Sequence, residues 1–139
     1  MQILYAKIDE VDFLCSYDKH IKRKELEKLI REERVYIAKE TGNFAGWLRY
    51  NLFWDNTPFM NMLFVLEEYR GKGIGKSLVL HWEQDMKKQG YSCLMTSTAS
   101  DEYAQHFYNK LGYITVGGTE LTALIHAIAA NVAASMIGG

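Results

Sequence analysis

Apolar and polar positions change their period several times along this chain, and each change marks a predicted element. Residues 2 to 8 alternate and predict a first strand. From Glu10 to Glu33 the pattern is helical. Leu26, Leu29 and Ile30 fall three and four apart between Lys22, Arg23, Lys24, Lys28 and Arg31, with Asp9 or Asp12 placed to cap the start. The basic run Lys19 to Lys24 precedes four glutamates and reads as a solvated helix face.

Beyond the glutamates the period shortens. Val35-Tyr36-Ile37-Ala38 is a β-rich run that ends at the turn Thr41-Gly42-Asn43. Phe44 to Trp54 resumes the strand pattern, Asp55-Asn56-Thr57-Pro58 turns the chain, and Phe59 to Leu66 is a third strand. Such short connections predict an antiparallel meander. Ile74 to Gln89 is the clearest helix, because Ile74, Leu78, Trp82 and Met86 recur every fourth residue and Gly90 supplies a C-terminal cap. Tyr91 to Ser97 predicts a strand, Asp101 to Leu111 a helix stopped by Gly112, and Tyr113 to Val116 another strand. The order implies a mixed α/β fold with parallel pairing where a helix intervenes. No internal repeat or linker interrupts it.

Composition narrows the function classes. A chain of 139 residues with 48% hydrophobic and 24% charged side chains suits one compact globular domain. Sixteen basic and 17 acidic residues leave a formal charge of -1, so no cationic field supports nucleic-acid binding. Cys15 and Cys93 form no metal-binding or disulfide pattern, which makes a reducing cytoplasm the default, and no metal is expected. The N-terminal residues lack the apolar stretch of an export signal. Leu121 to Gly139 is uncharged but broken by Thr122, His126, Asn131 and Ser135, so it predicts a buried or partner-facing helix and not a membrane span.

The chemistry gathers between the third meander strand and the strong helix, in Arg70-Gly71-Lys72-Gly73-Ile74-Gly75-Lys76-Ser77. Three glycines over five positions let the backbone approach a ligand and aim N–H groups at one point. The helix N-terminus adds partial positive charge, and Arg70, Lys72 and Lys76 add full charges, a combination that suits a pyrophosphate. A Walker loop is excluded because Arg70 stands where its first glycine belongs, although Gly75-Lys76-Ser77 supplies its end. The dinucleotide pattern fails at Lys76, where its third glycine belongs.

Arg70-Gly71-Lys72-Gly73-Ile74-Gly75 resembles the R/Q-x-x-G-x-G/A motif of the GNAT superfamily of N-acetyltransferases, and Ala104, Phe107, Tyr108, Lys110, Leu111, Gly112 and Tyr113 resemble its second signature. The resemblance spans roughly residues 1 to 118 in element order. It implies a central, mostly antiparallel sheet with a parallel pair at the cofactor site, flanked by helices. It also implies acetyl-CoA as co-substrate, held at its pyrophosphate by Arg70, Gly71, Lys72, Gly73, Ile74, Gly75, Lys76 and Ser77. The preceding strand, around Phe64, Val65 and Leu66, is implied to seat the pantetheine arm and hold the oxyanion. Tyr108 matches the tyrosine placed beside the thioester sulfur. An unperturbed phenol near 10 and a thiol near 8.5 are close enough for Tyr108 to serve as general acid. Phe107 and Leu111, four apart, read as core.

These readings predict transfer of an acetyl group to a primary amine by direct attack in a ternary complex. A catalytically silent CoA-binding module, regulatory or interactive, is the alternative. The acceptor is a small molecule or peptide, expected against Trp47, Arg49, Tyr50, Asn51, Phe53, Trp54 and Asp55. Glu67, Glu68, Asp55, His81 and Glu120 all stand open as proton acceptors. Two departures from the family pattern are Asp101 in place of a common asparagine and Glu67 in place of a common proline. A third is the tail: residues 1-118 form the acetyltransferase domain, whereas in 119-139 the helical spacing of Leu121, Leu124, Ile125, Ile128, Val132 and Met136 predicts a helix and a homodimer surface.

Overall fold

The computed structural model of the protein describes residues 1–98, 102–117 and 124–129. In chain order these form β1 (Gln2–Tyr5), a 3-10 turn (Ile8–Glu10), α1 (Val11–Tyr17), α2 (Arg23–Arg31), β2 (Val35–Glu40), β3 (Asn43–Phe53) and β4 (Thr57–Val65). A second 3-10 turn (Glu67–Tyr69), α3 (Ile74–Lys88), β5 (Cys93–Thr98), α4 (Glu102–Lys110), β6 (Ile114–Gly117) and β7 (Leu124–Ala129) follow. The mixed α/β class expected from the pattern holds. By its contacts the chain divides into two units, Met1–Asn51 with Met62–Leu78 and Leu52–Asn61 with Val79–Gly139; β3, β4 and α3 contribute to both.

In the first unit the strand order is β1-β2-β3-β4, with β1–β2 and β2–β3 antiparallel. The α2 stripe is as predicted: Leu26, Leu29 and Ile30 are buried with Val11, Leu14, Val35, Ile37 and Trp47. The single helix expected over 10–33 is interrupted at Asp18, where the backbone is extended. Asp18 accepts a hydrogen bond from the His20 N–H (3.2 Å), a local turn that competes with helix. Its other oxygen accepts from Arg49 Nε at 2.7 Å and from Trp47 Nε1 at 3.2 Å. An acid set into a surface pattern thus becomes the tie between the helical segment and β3.

β3 also meets β4 closely. A Cβ added at Gly46 would lie 2.5 Å from the Phe64 carbonyl oxygen and 3.2 Å from the Val65 Cα, both main-chain atoms. Only glycine fits this crossing.

In the second unit the order is β4-β5-β7-β6. The parallel pairing of β4 with β5 consists of Phe59↔Met95 and Met60↔Thr96, while β7 runs antiparallel to both β5 and β6. On α3, Val79, Trp82 and Met86 are buried, as are Leu94, Leu111 and Tyr113. The C-terminal expectation is corrected here: Leu124–Ala129 is a strand, not a helix. A strand with a neighbour on each edge reads as an unbroken apolar run, which periodicity alone does not separate from a buried helix. Residues 119–123 and 130–139 of the expected helix and homodimer surface lie outside the described residues. Among the described residues no helix is long and apolar enough to cross a membrane.

Two consequences are measurable. Burial works to raise the Asp18 carboxyl, but the hydrogen bonds and charge of Arg49 outweigh it and hold the group below the usual carboxylate range. A depressed folded value means its stabilisation is complete above the unfolded pKa near 3.9 and is lost as pH falls through the lower folded one. Asp18→Ala, which strands Arg49 in the interior, is expected to cost about 3–5 kcal/mol in denaturant unfolding and to flatten the acid limb of stability against pH. Gly46→Ala is expected to lower stability by about 1–3 kcal/mol, since the clashing atoms are backbone; an unchanged denaturation midpoint would show that β4 can give way.

Candidate active site

The turn from β4 into α3 is built by backbone conformation. Gly71 and Gly73 have φ of +80° and +79°, a left-handed region that costs other residues about 1–2 kcal/mol each. A Cβ at either position would meet nothing within 4 Å. Glycine is therefore required by the turn itself, and the space in front of it is open. The first bond joining this turn to the helix runs from the Ser77 N–H to the Gly73 carbonyl at 3.0 Å. The N–H groups of Ile74, Gly75 and Lys76 precede it and have no acceptor within the helix. Ile74 is buried and pins the helix start.

Charge around this turn is unusual for a helix N-terminus. No acidic side chain occupies the first turn of α3, where the macrodipole favours one, and Lys76 stands there instead. The two cations before the helix are partly occupied. Arg70 donates from Nε to the Val65 carbonyl (2.9 Å) and lies over the Phe64 ring at 5.1 Å; Lys72 lies over the Tyr69 ring at 5.5 Å. Arg70 thus braces the end of β4 while remaining exposed. Of the three amides expected for an oxyanion, that of Leu66 is corrected: it donates to the Ala45 carbonyl at 2.8 Å and is committed to the sheet. Phe64 and Val65 keep the role open.

The second unit holds the tyrosine. Tyr108 on α4 is buried and hydrogen-bonded to the Thr96 side chain. Thr96 Oγ1 in turn donates to the Met60 carbonyl at 3.0 Å, where β4 and β5 pair. Burial pushes the Tyr108 phenol up to about 12, with the Thr96 hydrogen bond pulling slightly back. The near balance with a thiol expected from the sequence is therefore shifted. Tyr113 packs edge-on against Tyr108 with ring centroids 5.5 Å apart, and burial raises its phenol well above the usual value. Glu83 on α3 is also buried.

Other sequence candidates are dispersed. Trp47, Arg49 and Tyr50, expected as an acceptor wall, are core residues. The exposed aromatics of the first unit are instead Tyr5, Phe13, Tyr17 and Phe64, with Phe44 half-buried beside Phe13 and Tyr17; Phe44 lies 4.9 Å from the Phe13 ring and Trp47 5.2 Å from the Phe64 ring. Asp55 sits in the tight β3–β4 turn, Glu67 and Glu68 are exposed in the 3-10 turn, His81 interacts with Asp85 and Lys88, and Glu120 and Asp101 lie outside the described residues. Glu83 is a further buried acid outside these candidates; it stands four residues after Val79 and three before Met86, on the apolar stripe of α3. Among the described residues no cluster of three or more His, Cys, Asp or Glu gathers to hold a metal.

Comparison with known proteins agrees with this geometry. The sequence model of the family described as Acetyltransferase (GNAT) family matches residues 5–113. Ard1 from Thermoplasma volcanium has a TM-score of 0.77 at 15% identity, over 92% of this chain and 96% of that one. PaiA N-acetyltransferase from Thermoplasma acidophilum in complex with coenzyme A has a TM-score of 0.72 at 19% identity, over 92% and 98%. The ribosomal-protein-S18-alanine N-acetyltransferase from Escherichia coli has a TM-score of 0.75 at 18% identity, over 92% of each chain. No curated protein sequence matches the chain. At such identities the structures speak to the fold, while the family match takes in both the glycine turn and Tyr108: the chain belongs to the GNAT family of acetyltransferases.

Proposed function

We propose that the protein transfers an acetyl group from acetyl-CoA to a primary amine by direct attack in a ternary complex. The observation that carries this is the pair of left-handed glycines, Gly71 and Gly73, directly before a helix whose first turn bears Lys76 and no acid. Main-chain N–H groups from Gly71 to Lys76 hold the pyrophosphate, with Lys72, Lys76 and the free edge of Arg70 neutralising its charge and the Ser77 hydroxyl beside them. The Phe64 and Val65 amides, on the strand that ends at this turn, stabilise the developing oxyanion.

As the amine nitrogen bonds to the acyl carbon the carbon–sulfur bond breaks, and Tyr108 delivers a proton to the departing sulfur. With its phenol at about 12, Tyr108 keeps that proton across the working pH range and acts as donor only. Complete transfer to a thiolate near 8.5 is then uphill by about 5 kcal/mol. That is small beside the barrier of about 16 kcal/mol for a turnover of about 10 per second. The acceptor amine is a small molecule or the end of a peptide, approaching over the exposed rings Phe13, Tyr17 and Phe64.

Thiol release from acetyl-CoA in the presence of a panel of amines tests the reading. Release is the expected result, and CoA binding without release against every amine would favour a silent CoA-binding module. Gly73→Ala is expected to raise KM for acetyl-CoA by roughly tenfold, because about 1–2 kcal/mol of strain falls on the turn that cradles the phosphates. Tyr108→Phe is expected to lower kcat by about 10²–10⁴ with CoA affinity nearly intact, checked by steady-state kinetics beside calorimetry; unchanged turnover would remove Tyr108 from the mechanism.

A further inference from the structure

Glu83 is the one charged residue buried in the second unit among the described residues, and neither carboxyl oxygen has a hydrogen bond. The Tyr113 hydroxyl is buried and equally without a partner of full hydrogen-bond geometry, and the two groups are near enough for each to bear on the other's protonation. An unsatisfied acid in a core calls for a reason. Tyr113 leads outward from it: its ring packs edge-on against Tyr108 at 5.5 Å, and Tyr108 is tied to Thr96 at the junction of β4 and β5.

We infer that Glu83 is a positioning residue for Tyr108, acting through Tyr113, so that its protonation state sets how readily Tyr108 gives up a proton. This rests on the acetyl-transfer reading for its consequence in turnover, but the coupling itself is a property of the folded chain. Neutral Glu83 sits opposite the Tyr113 hydroxyl without charge to bury. Once ionised it draws the Tyr113 hydroxyl towards it as donor, shifts the ring that packs on Tyr108, and raises the proton affinity of both phenols. Tyr108 is then the poorer acid.

The surroundings bear this out. Burial pushes the Glu83 carboxyl up to about 7, with Tyr113 pulling slightly back, so the change of state falls in the neutral range. On α3 itself, His81, Lys87 and Lys88 are exposed and Asp85 is half-buried beside His81 and Lys88. From β5 come Leu94 and Thr96, which do not ionise, and from α4 and the start of β6 come Tyr108 and Tyr113. On β7, His126 stands opposite Thr96 in register. No cation stabilises Glu83 among these described neighbours, which distinguishes it from Asp18 beside Arg49.

The test uses the full chain labelled with ¹³C at the tyrosine ζ carbons, titrated by NMR from about pH 5 to about pH 9, a range that brackets a carboxyl at about 7. The Tyr113 and Tyr108 signals are expected to step together near neutrality in the wild type, to stay flat in Glu83→Gln, and to keep the step in His126→Gln. A Tyr108 signal that does not move in the wild type overturns the inference, as does a step that survives in Glu83→Gln or disappears in His126→Gln. Should Glu83→Gln fail to fold, Tyr113→Phe serves in its place, and a Tyr108 step that persists there overturns the relay. In turnover, the ratio of kcat for Glu83→Gln to wild type is expected to rise by about threefold or more between about pH 6 and about pH 8.5 at unchanged KM for acetyl-CoA. A ratio constant with pH reduces Glu83 to a packing role. Absence of thiol release from every variant defeats the acetyl-transfer reading alone, because the NMR step decides the coupling independently.

Discussion

Two backbone torsions shape the turn on which the proposed site rests. The chain leaves β4, passes through a single 3-10 turn, and enters its longest helix by way of Gly71 and Gly73 in the left-handed region. A right-handed path at either position would rotate the intervening amide away and extend the helix backwards, giving the first-turn N–H groups internal acceptors. Nothing crowds the two glycines, so no packing force imposes the shape. The neighbouring parts instead hold the ends of the turn: Ile74 is buried at the helix start, and Arg70 is bonded back to Val65. The turn is thus fixed at both ends and bare in the middle, as a main-chain anion cradle must be.

Among the described residues each unit buries one carboxylate, and the two are treated in opposite ways. Asp18 is matched to Arg49 and Trp47 and kept charged; the pair fixes the end of α1 against β3. Glu83 has no such cation and is kept neutral below about pH 7 by its surroundings. A paired ion is insensitive to pH over the neutral range, so the first unit keeps its frame there. An unpaired acid near 7 changes state within it. The difference follows from one guanidinium: Arg49 stands beside Asp18, and among the described residues no cation stands beside Glu83.

The pattern of the sequence predicted every described strand but the last, and the reasons for its misses are local. The helix over 10–33 was read as continuous because periodicity does not see that Asp18 will be drawn inward by an arginine 31 residues later. Leu124–Ala129 passed for a helix because pairing on both edges removes the alternation that identifies a strand. In the candidate site, the left-handed turn at Gly71 and Gly73 is legible in residue type and order. Its details are not. The commitment of the Leu66 amide to Ala45, the bracing of Arg70 and the raised Tyr108 phenol all arise from contacts distant in sequence. Gly46, which reads as an ordinary strand residue, owes its identity to a carbonyl 18 positions away.

In the proposed reaction the protonation states also divide the labour. A phenol at about 12 already carries its proton in neutral solution and has no place for the one lost by an ammonium near 10.4, so in that reaction Tyr108 serves the leaving sulfur and not the incoming nitrogen. The proton lost from the amine must reach an acceptor open to water. Glu67 and Glu68 are exposed carboxyls in the 3-10 turn between β4 and α3, and solvent itself is another acceptor. A buried donor and an exposed acceptor need no exchange of protons with each other between turnovers. In the proposed reaction the buried carboxyl of Glu83 on α3 therefore bears on the acid half, through Tyr108, and not on the exposed acceptor of the amine proton.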